Sequence, residues 1–225
     1  MPQAEAKPRT LGLETPVAAM AGIGPKRAAA LAARGISRVE DAIFHLPSRY
    51  QDWRVRTPVS QLRPGAIAVV EGELAGLSER PMPGARWRRL LSGWLKSEAG
   101  RVRVVWFNLP GYLKGRIANG ERVLAYGRVS LAPDETLEIV HPELHRLDAA
   151  SPPPIRPIYS LPDQVPQRLF AGVVTRALAA LEGEIGGALP DELRQSAKVP
   201  RLSDALRYLH NPPADADLDK LARGD

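Results

Sequence analysis

The 225-residue chain contains no cysteine, and only 5% of its residues are aromatic, three of them Phe and five Tyr. Without cysteine there is no disulfide framework and no thiolate-ligated metal, which fits a reducing cytosolic setting. No apolar run approaches the ~20 residues that cross a bilayer, and the polar Met1–Thr10 stretch lacks the apolar centre of a secretory signal. We therefore expect no membrane partner and a cytoplasmic location. Motifs of catalysis are missing too. There is no G-x-x-x-x-G-K-[ST] phosphate loop, no H-E-x-x-H and no nucleophile elbow, so these residues read as a binding module with no catalytic group. His45, His141, His145 and His210 show no metal spacing, and the alternating Asp215, Asp217 and Asp219 read as a solvated acidic tail.

Charge is present but unevenly placed. Residues 1–60 carry nine basic and five acidic side chains, residues 61–147 thirteen and nine, and residues 148–225 nine and eleven. A basic front and middle imply an anionic partner for those parts of the chain. The same boundaries serve as expected domains: an N-terminal helical region (1–60), a strand-rich domain (61–147), and a Pro-rich linker with helices (148–225).

In the middle segment the periodicity is two. Expected strands cover 66–77, 87–96, 101–108, 121–130 and 136–145, with a Pro/Gly turn region at 79–86 and a short helix at 110–118. Five strands with a helix between the third and fourth is the order of an OB-fold barrel, so the fold class expected is α+β. Alternation places Val102, Val104 and Trp106 inward, with Arg101, Arg103, Val105 and Phe107 outward. On the next strand Val123, Ala125, Gly127 and Val129 point inward, leaving Arg122, Leu124, Tyr126 and Arg128 outward. Arginines interleaved with rings suit phosphates and stacked bases together. Trp106 shares the valine face and reads as core, although it stands beside Phe107 as a stacking candidate. Tyr112 offers a further ring. For Phe107 the competing reading is a small apolar cluster with Val105 and Leu124.

Arg80, Arg86, Arg88 and Arg89 surround Trp87 in the connection between the first two strands, a combination suited to binding phosphate and stacking on bases. The competing reading is a solubilising hairpin whose Trp87 returns to the core. Near the N-terminus, Gly22-Ile-Gly24-Pro25-Lys26-Arg27 between helical runs (15 to about 45) looks like the turn of a helix-hairpin-helix. Gly22 and Gly24 allow backbone N–H groups to approach a phosphate, the following helix offers its positive end, and Lys26 and Arg27 add charge. A plain helix–helix turn with solvated cations accounts for the same residues.

Seven stretches together resemble the RecG helicase family: Gly22–Lys26, Leu46-Pro-Ser-Arg-Tyr-Gln-Asp52, Trp106-Phe-Asn108, Val123–Gly127 and His141-Pro-Glu143, then Pro157-Ile-Tyr159 and Leu206–Pro213. They occur in family order over about residues 15–220. The resemblance implies the N-terminal wedge of an ATP-dependent DNA helicase, which binds branched DNA such as forks and Holliday junctions and serves repair, recombination and fork regression at the bacterial nucleoid. It implies stacking rings at Phe107, beside Trp106, and at Tyr112, where one extra residue (Gly111) departs from many relatives. It also implies a partner outside these residues, a C-terminal helicase motor that uses ATP and Mg. A stand-alone single-strand-binding OB protein and a protein-docking module are the alternatives. A phosphate loop encoded in frame downstream distinguishes the first, and salt-independence of any DNA binding the second.

Overall fold

The computed structural model describes residues 11–82, 85–107, 115, 117–147, 153–187 and 189–223, with side chains for all but 82, 85–88 and 222. In chain order the elements are a 3-10 turn at Val17–Ala19, helices α1 (Pro25–Ala32) and α2 (Val39–Phe44), strand β1 (Arg49–Asp52), and a second 3-10 turn at Val59–Gln61. Strands β2 (Ile67–Met82), β3 (Ala85–Ser97), β4 (Gly100–Phe107), β5 (Arg122–Leu131), β6 (Leu137–Val140), β7 (Glu143–Arg146) and β8 (Ile155–Ile158) follow. Helices α3 (Gln167–Ala180), α4 (Asp191–Ser196), α5 (Leu202–His210) and α6 (Leu218–Arg223) complete the described chain.

These elements group into two compact units, one of residues Met1–Asp52 with Pro154–Asp225 and the other of Trp53–Pro153. Residues from the two ends of the sequence thus share one core, where three successive segments were expected. The reason is apolar coverage. Helix α3 buries Phe170, Val173, Val174, Ala177 and Leu178, a stripe of helical period too wide for its neighbours in sequence. Val17, Ile23, Leu31, Val39 and Ile43 from the N-terminal segment close over it.

Three expectations change in this helical unit. The first arm of the hairpin is a single 3-10 turn, because the backbone extends at Met20 and Gly22 adopts φ +91°. The expected helical region (1–60) and Pro-rich linker segment (within 148–225) contribute strands β1 and β8, which pair antiparallel from Arg49↔Ile158 to Asp52↔Ile155. A two-stranded ribbon tolerates Pro157 because each strand has one edge outside the ladder. The acidic tail contains α6, whose first turn is capped by Asp217: its Oδ1 accepts from the N–H of Asp219 (2.9 Å) and of Lys220 (3.2 Å).

The second unit is a six-stranded mixed sheet in the order β2-β3-β4-β6-β5-β7, in which β2 also pairs with β5. Inward residues Val70, Leu74, Leu95, Val102, Val104, Trp106, Val123, Ala125 and Ile139 form its core. Each fully buried aliphatic side chain there contributes about 1.5–3 kcal/mol against exposure. The expected α+β class holds, with six strands in this sheet in place of five. The expected last strand (136–145) is broken at His141, which has φ +50°, and Pro142, which has no N–H to give a ladder. Its halves become β6 and β7, both lying along β5.

Of the connection expected to turn at 79–86, the described residues 79–82 and 85–86 lie in strands. Glu79↔Leu91 and Arg80↔Leu90 are register pairs still flanked by β4, and from Pro81↔Arg89 on β2 and β3 run as a ribbon beyond their pairing with β5 and β4. A bulge between Ala75 and Ser78, with Gly76 at φ +61°, shifts the register just past the end of the β2–β5 pairing. The short helix expected at 110–118 lies outside the described residues except at Gly115, Ile117 and Ala118.

Candidate nucleic-acid interface

Register fixes which side chains share the outer face of the sheet. Residues directly opposite one another project to the same side, so β2, β3 and β4 present rows: Glu73–Lys96–Arg101, Ala75–Trp94–Arg103, Ser78–Ser92–Val105 and Arg80–Leu90–Phe107. The opposite side of β4 holds Val102, Val104 and Trp106, all buried.

Phe107 is 39% exposed, and its ring meets His141 edge-on at 5.7 Å between centroids. Trp106, one residue earlier, is 1% exposed and donates its indole N–H to the Pro142 carbonyl at 3.3 Å. The stacking role considered for Trp106 is therefore excluded by burial, while Phe107 is open. Val105 is buried on the outer side, but Leu124, the other member of its expected cluster, belongs to a separate patch with Trp53 and Val69. Trp53 covers Tyr126, ring on ring at 5.2 Å and 21°. Between Arg122 and Arg128 the outward face of β5 thus carries an apolar patch, and Tyr126 is not an open ring. Nothing near Trp53 in sequence announced this, because residues 49–65 carry no clear periodicity.

The arginines divide sharply. Arg103 is gripped by Asp134, with Nη1 to Oδ2 at 3.0 Å and Nη2 to Oδ1 at 2.7 Å, and its Nε lies 3.3 Å from Glu138 Oε2. Hydrogen bonding from Arg103 first, and from the Thr136 N–H second, pulls the Asp134 carboxyl down to about 2. The phosphate role expected of Arg103 gives way to an ion pair. Arg89 meets Glu79 at 2.7 Å and, opposite Pro81, lies on the face of Leu91, away from Arg80. Arg122 reaches Glu71 at 2.8 Å. Arg80 is exposed, its Nε donating to Ser78 Oγ at 3.3 Å, and no carboxylate holds it among the described residues. Arg101 is exposed, with its guanidinium carbon 4.2 Å above the Trp94 ring. The side chains of Arg86 and Arg88, and all of Tyr112, lie outside the described residues.

Trp94 and Lys96 were not among the expected contacts. Their signal was the alternation in Leu91-Ser-Gly-Trp-Leu-Lys96, which sets Leu91, Gly93 and Leu95 inward and Trp94 and Lys96 outward.

In the helical unit, Gly24 caps α1 in extended conformation (φ −78°, ψ 173°), and Pro25 takes the first helical position. Space around Gly24 is open, whereas a Cβ on Gly22 would meet Leu169 Cδ1 at 2.5 Å. A pocket of about 420 Å³ is lined by Gly24, Pro25, Lys26, Arg27 and Gln164. Lys26 is exposed at its mouth. Arg27 turns away from the expected phosphate role: it donates to the carbonyls of Gly22 (2.8 Å) and Gln164 (3.3 Å), clamping the turn. Among the described residues there is no cluster of metal-ligating side chains, and no helix is long and apolar enough to cross a membrane.

The RecG wedge domain family matches residues 16–181. The ATP-dependent DNA helicase RecG of Pasteurella multocida is 31% identical over 218 residues, covering 93% of this chain and 30% of that protein. Its namesake in Escherichia coli K12 is 31% identical over 214 residues, with the same coverage. That of Bacillus subtilis is 28% identical over 210, again covering 93% and 30%. The chain thus spans about 30% of the length of the curated relatives it matches. Among solved structures, RecG bound to a three-way DNA junction matches 98% of this chain and 30% of its own, with TM-score 0.73 and 23% identity, a likeness of fold. With its mixed sheet, its long β2–β3 ribbon and a match through residues 16–181, this chain belongs to the RecG wedge domain family.

Proposed function

We propose that this chain is the branched-DNA-binding wedge of a RecG-type ATP-dependent DNA helicase, acting at forks and Holliday junctions in fork regression, repair and recombination. Its motor, with ATP and Mg, is a partner lying outside these residues, and its setting is the bacterial cytoplasm at the nucleoid. In this reading β2–β6 are the five strands of an OB barrel. The pairings β2–β3–β4–β6–β5 and back to β2 support closure, and β7 continues the broken fifth strand.

One observation carries the reading. Phe107 and Arg80 occupy a single register row at the root of the β2–β3 ribbon, an open ring and a cation with no carboxylate partner among the described residues, where parting strands would meet a wedge. Stacking on such a ring is sequence-tolerant, and a nearby guanidinium supplies the phosphate contact. The relative bound to a three-way DNA junction makes branched DNA the first substrate to test. Lys26 and the open Gly24 backbone at the start of α1 give the helical unit a second candidate phosphate contact.

The test is binding by the isolated chain, without ATP, to forked, three-way and linear duplex DNA at about 150 mM salt, near physiological ionic strength. Tighter binding to branched forms, with Phe107→Ala weakening that preference, is expected. Equal affinity for fork and linear duplex overturns the wedge reading.

A further inference from the structure

Arginines in the helical unit are held in two ways. Arg38 is paired with Glu14, Arg194 with Asp191 and Arg207 with Glu182, so these three charges are neutralised. Around the Ala21–Gly22 turn the acceptors are neutral. Arg27 donates to the carbonyls of Gly22 (2.8 Å) and Gln164 (3.3 Å), and Arg176 on α3 donates to the Ala21 carbonyl at 3.3 Å. Arg34, two helical turns beyond Arg27 on α1, reaches the Ser160 hydroxyl at 3.5 Å. Lys26 stands exposed beside Arg27. Among the described residues none of these four cations has a carboxylate partner, and Asp163, on the loop between Ser160 and Gln164, pairs with none of them.

A carbonyl or hydroxyl orients a guanidinium without cancelling its charge. The guanidinium has five N–H donors in a planar fork. Arg34 and Arg176 each give one to the protein, which leaves the others for an anion. A fork already oriented also loses less rotamer freedom when it binds.

These cations form a row. It runs from Arg176 across the exposed Ala21 and Gly22 to Arg27 and Lys26, then along α1 to Arg34. Arg27 and Arg34 alone stand about 10 Å apart along the helix axis. A duplex strand sets down one phosphate for every ~3.4 Å of its axis, so a row of this length meets several at once, where a free phosphate or one phosphorylated side chain meets a single cation or two. The pocket at the turn is lined by Gly24, Pro25, Lys26, Arg27 and Gln164, with no ring among them. Unpaired bases are recognised by stacking, and this surface offers no ring to stack on.

We propose that Lys26, Arg34 and Arg176 grip the sugar–phosphate backbone of a duplex arm, whatever its sequence, with Arg27 as the positioning residue that holds the turn. The inference rests on the DNA-binding reading above and adds to it a site for paired DNA in the helical unit, separate from the ring and ribbon of the sheet.

The experiment uses the full chain without ATP and three ligands: a linear duplex, a three-way junction with duplex arms, and an oligothymidylate. Lys26→Ala with Arg34→Ala should weaken the duplex and the junction about tenfold near physiological salt, and flatten the log–log salt slope on both by up to ~1.8, two contacts at ~0.9 each. Adding Arg176→Ala should remove a further ~0.9. Lys26→Arg with Arg34→Lys keeps both charges and should retain the parent slope. The oligothymidylate should lose less than the duplex, and the preference for junction over linear duplex should survive in every variant.

An unchanged slope on the duplex overturns the site, and so does an equal loss of affinity for the oligothymidylate. Displacement of the duplex by inorganic phosphate beyond that by chloride of equal ionic strength marks a single-anion site and also overturns it. Melting curves identify variants that misfold. Lys26→Gln with Arg34→Gln, which leaves an amide to donate to Ser160, carries the test if the alanine pair is one of them. A parent chain that binds linear duplex through these cations yet shows no preference for the junction would sink the wedge reading alone.

Discussion

Arg103 and Asp134 are locked in a two-point pair, Nη1 to Oδ2 at 3.0 Å and Nη2 to Oδ1 at 2.7 Å, which fastens the β5–β6 turn to the outer face of β4. An arginine so neutralised adds little to phosphate binding. Arg103→Ala should therefore leave the salt slope of DNA binding unchanged, where a true phosphate contact on duplex would remove ~0.9. A flattened slope would show that DNA displaces Asp134.

The same pair makes an acid-side prediction. The folded Asp134 carboxyl titrates at about 2, below its unfolded value of about 3.9. Any stability it contributes is therefore present above the unfolded value and lost as pH falls toward the folded one. Both groups are solvent-accessible, so the effect on unfolding is small. The carboxyl carbon signal reports it directly: Arg103→Ala should return the midpoint to the ordinary range, and a midpoint still near its parent value would refute the pairing.

Trp106 and Phe107 should separate stability from recognition. Trp106→Ala removes a ring buried among Val104, Ile139 and their neighbours and should cost about 3–5 kcal/mol in denaturant unfolding. Phe107→Ala should cost far less and weaken fork binding selectively. If instead Phe107→Ala destabilises strongly while the folded protein binds forks normally, the ring is structural and the proposed contact is lost.

Gly22 and Gly24 should respond differently to the same substitution. Gly22→Ala forces a Cβ against Leu169 at φ +91° and should destabilise the helical unit by more than ~1 kcal/mol. Gly24→Ala meets open space at φ −78° and should be near neutral for folding. A loss of DNA affinity in Gly24→Ala at unchanged melting temperature is expected if backbone N–H groups approach phosphate there.

His210 makes the helical unit sensitive to mild acid. Its Nδ1 accepts from the Tyr159 hydroxyl at 2.9 Å and its Nε2–H donates to the Ile43 carbonyl at 2.7 Å, a pairing that suits the neutral ring. Burial lowers its pKa, opposed by the Ile43 hydrogen bond. The unfolded chain then binds the extra proton more readily, so stability is full above the unfolded value of about 6.5 and falls as pH drops below it. Melting temperatures from pH 8 to 5 should show this decline, and His210→Gln should remove its component near pH 6. An identical decline in the variant would place the sensitive group elsewhere.

How much of this was legible in the sequence follows from the range of each interaction. The alternation that sends Trp106 inward and Phe107 outward is a property of one strand, because successive side chains leave a pleated backbone on opposite sides. The ordered motifs from Gly22 to Pro213 likewise identified the family from local strings. Which cation stays free was not local. Arg103 meets a carboxylate 31 positions on, and Arg27 a carbonyl 137 positions on. Trp53 covers Tyr126, β1 pairs with β8, and Arg101 finds the ring of Trp94 only after strand register has been set. The sequence determined the sides of the strands and the family. Tertiary structure decided which charges and rings remain available, because a partner is chosen by which strands and turns become neighbours when the core closes.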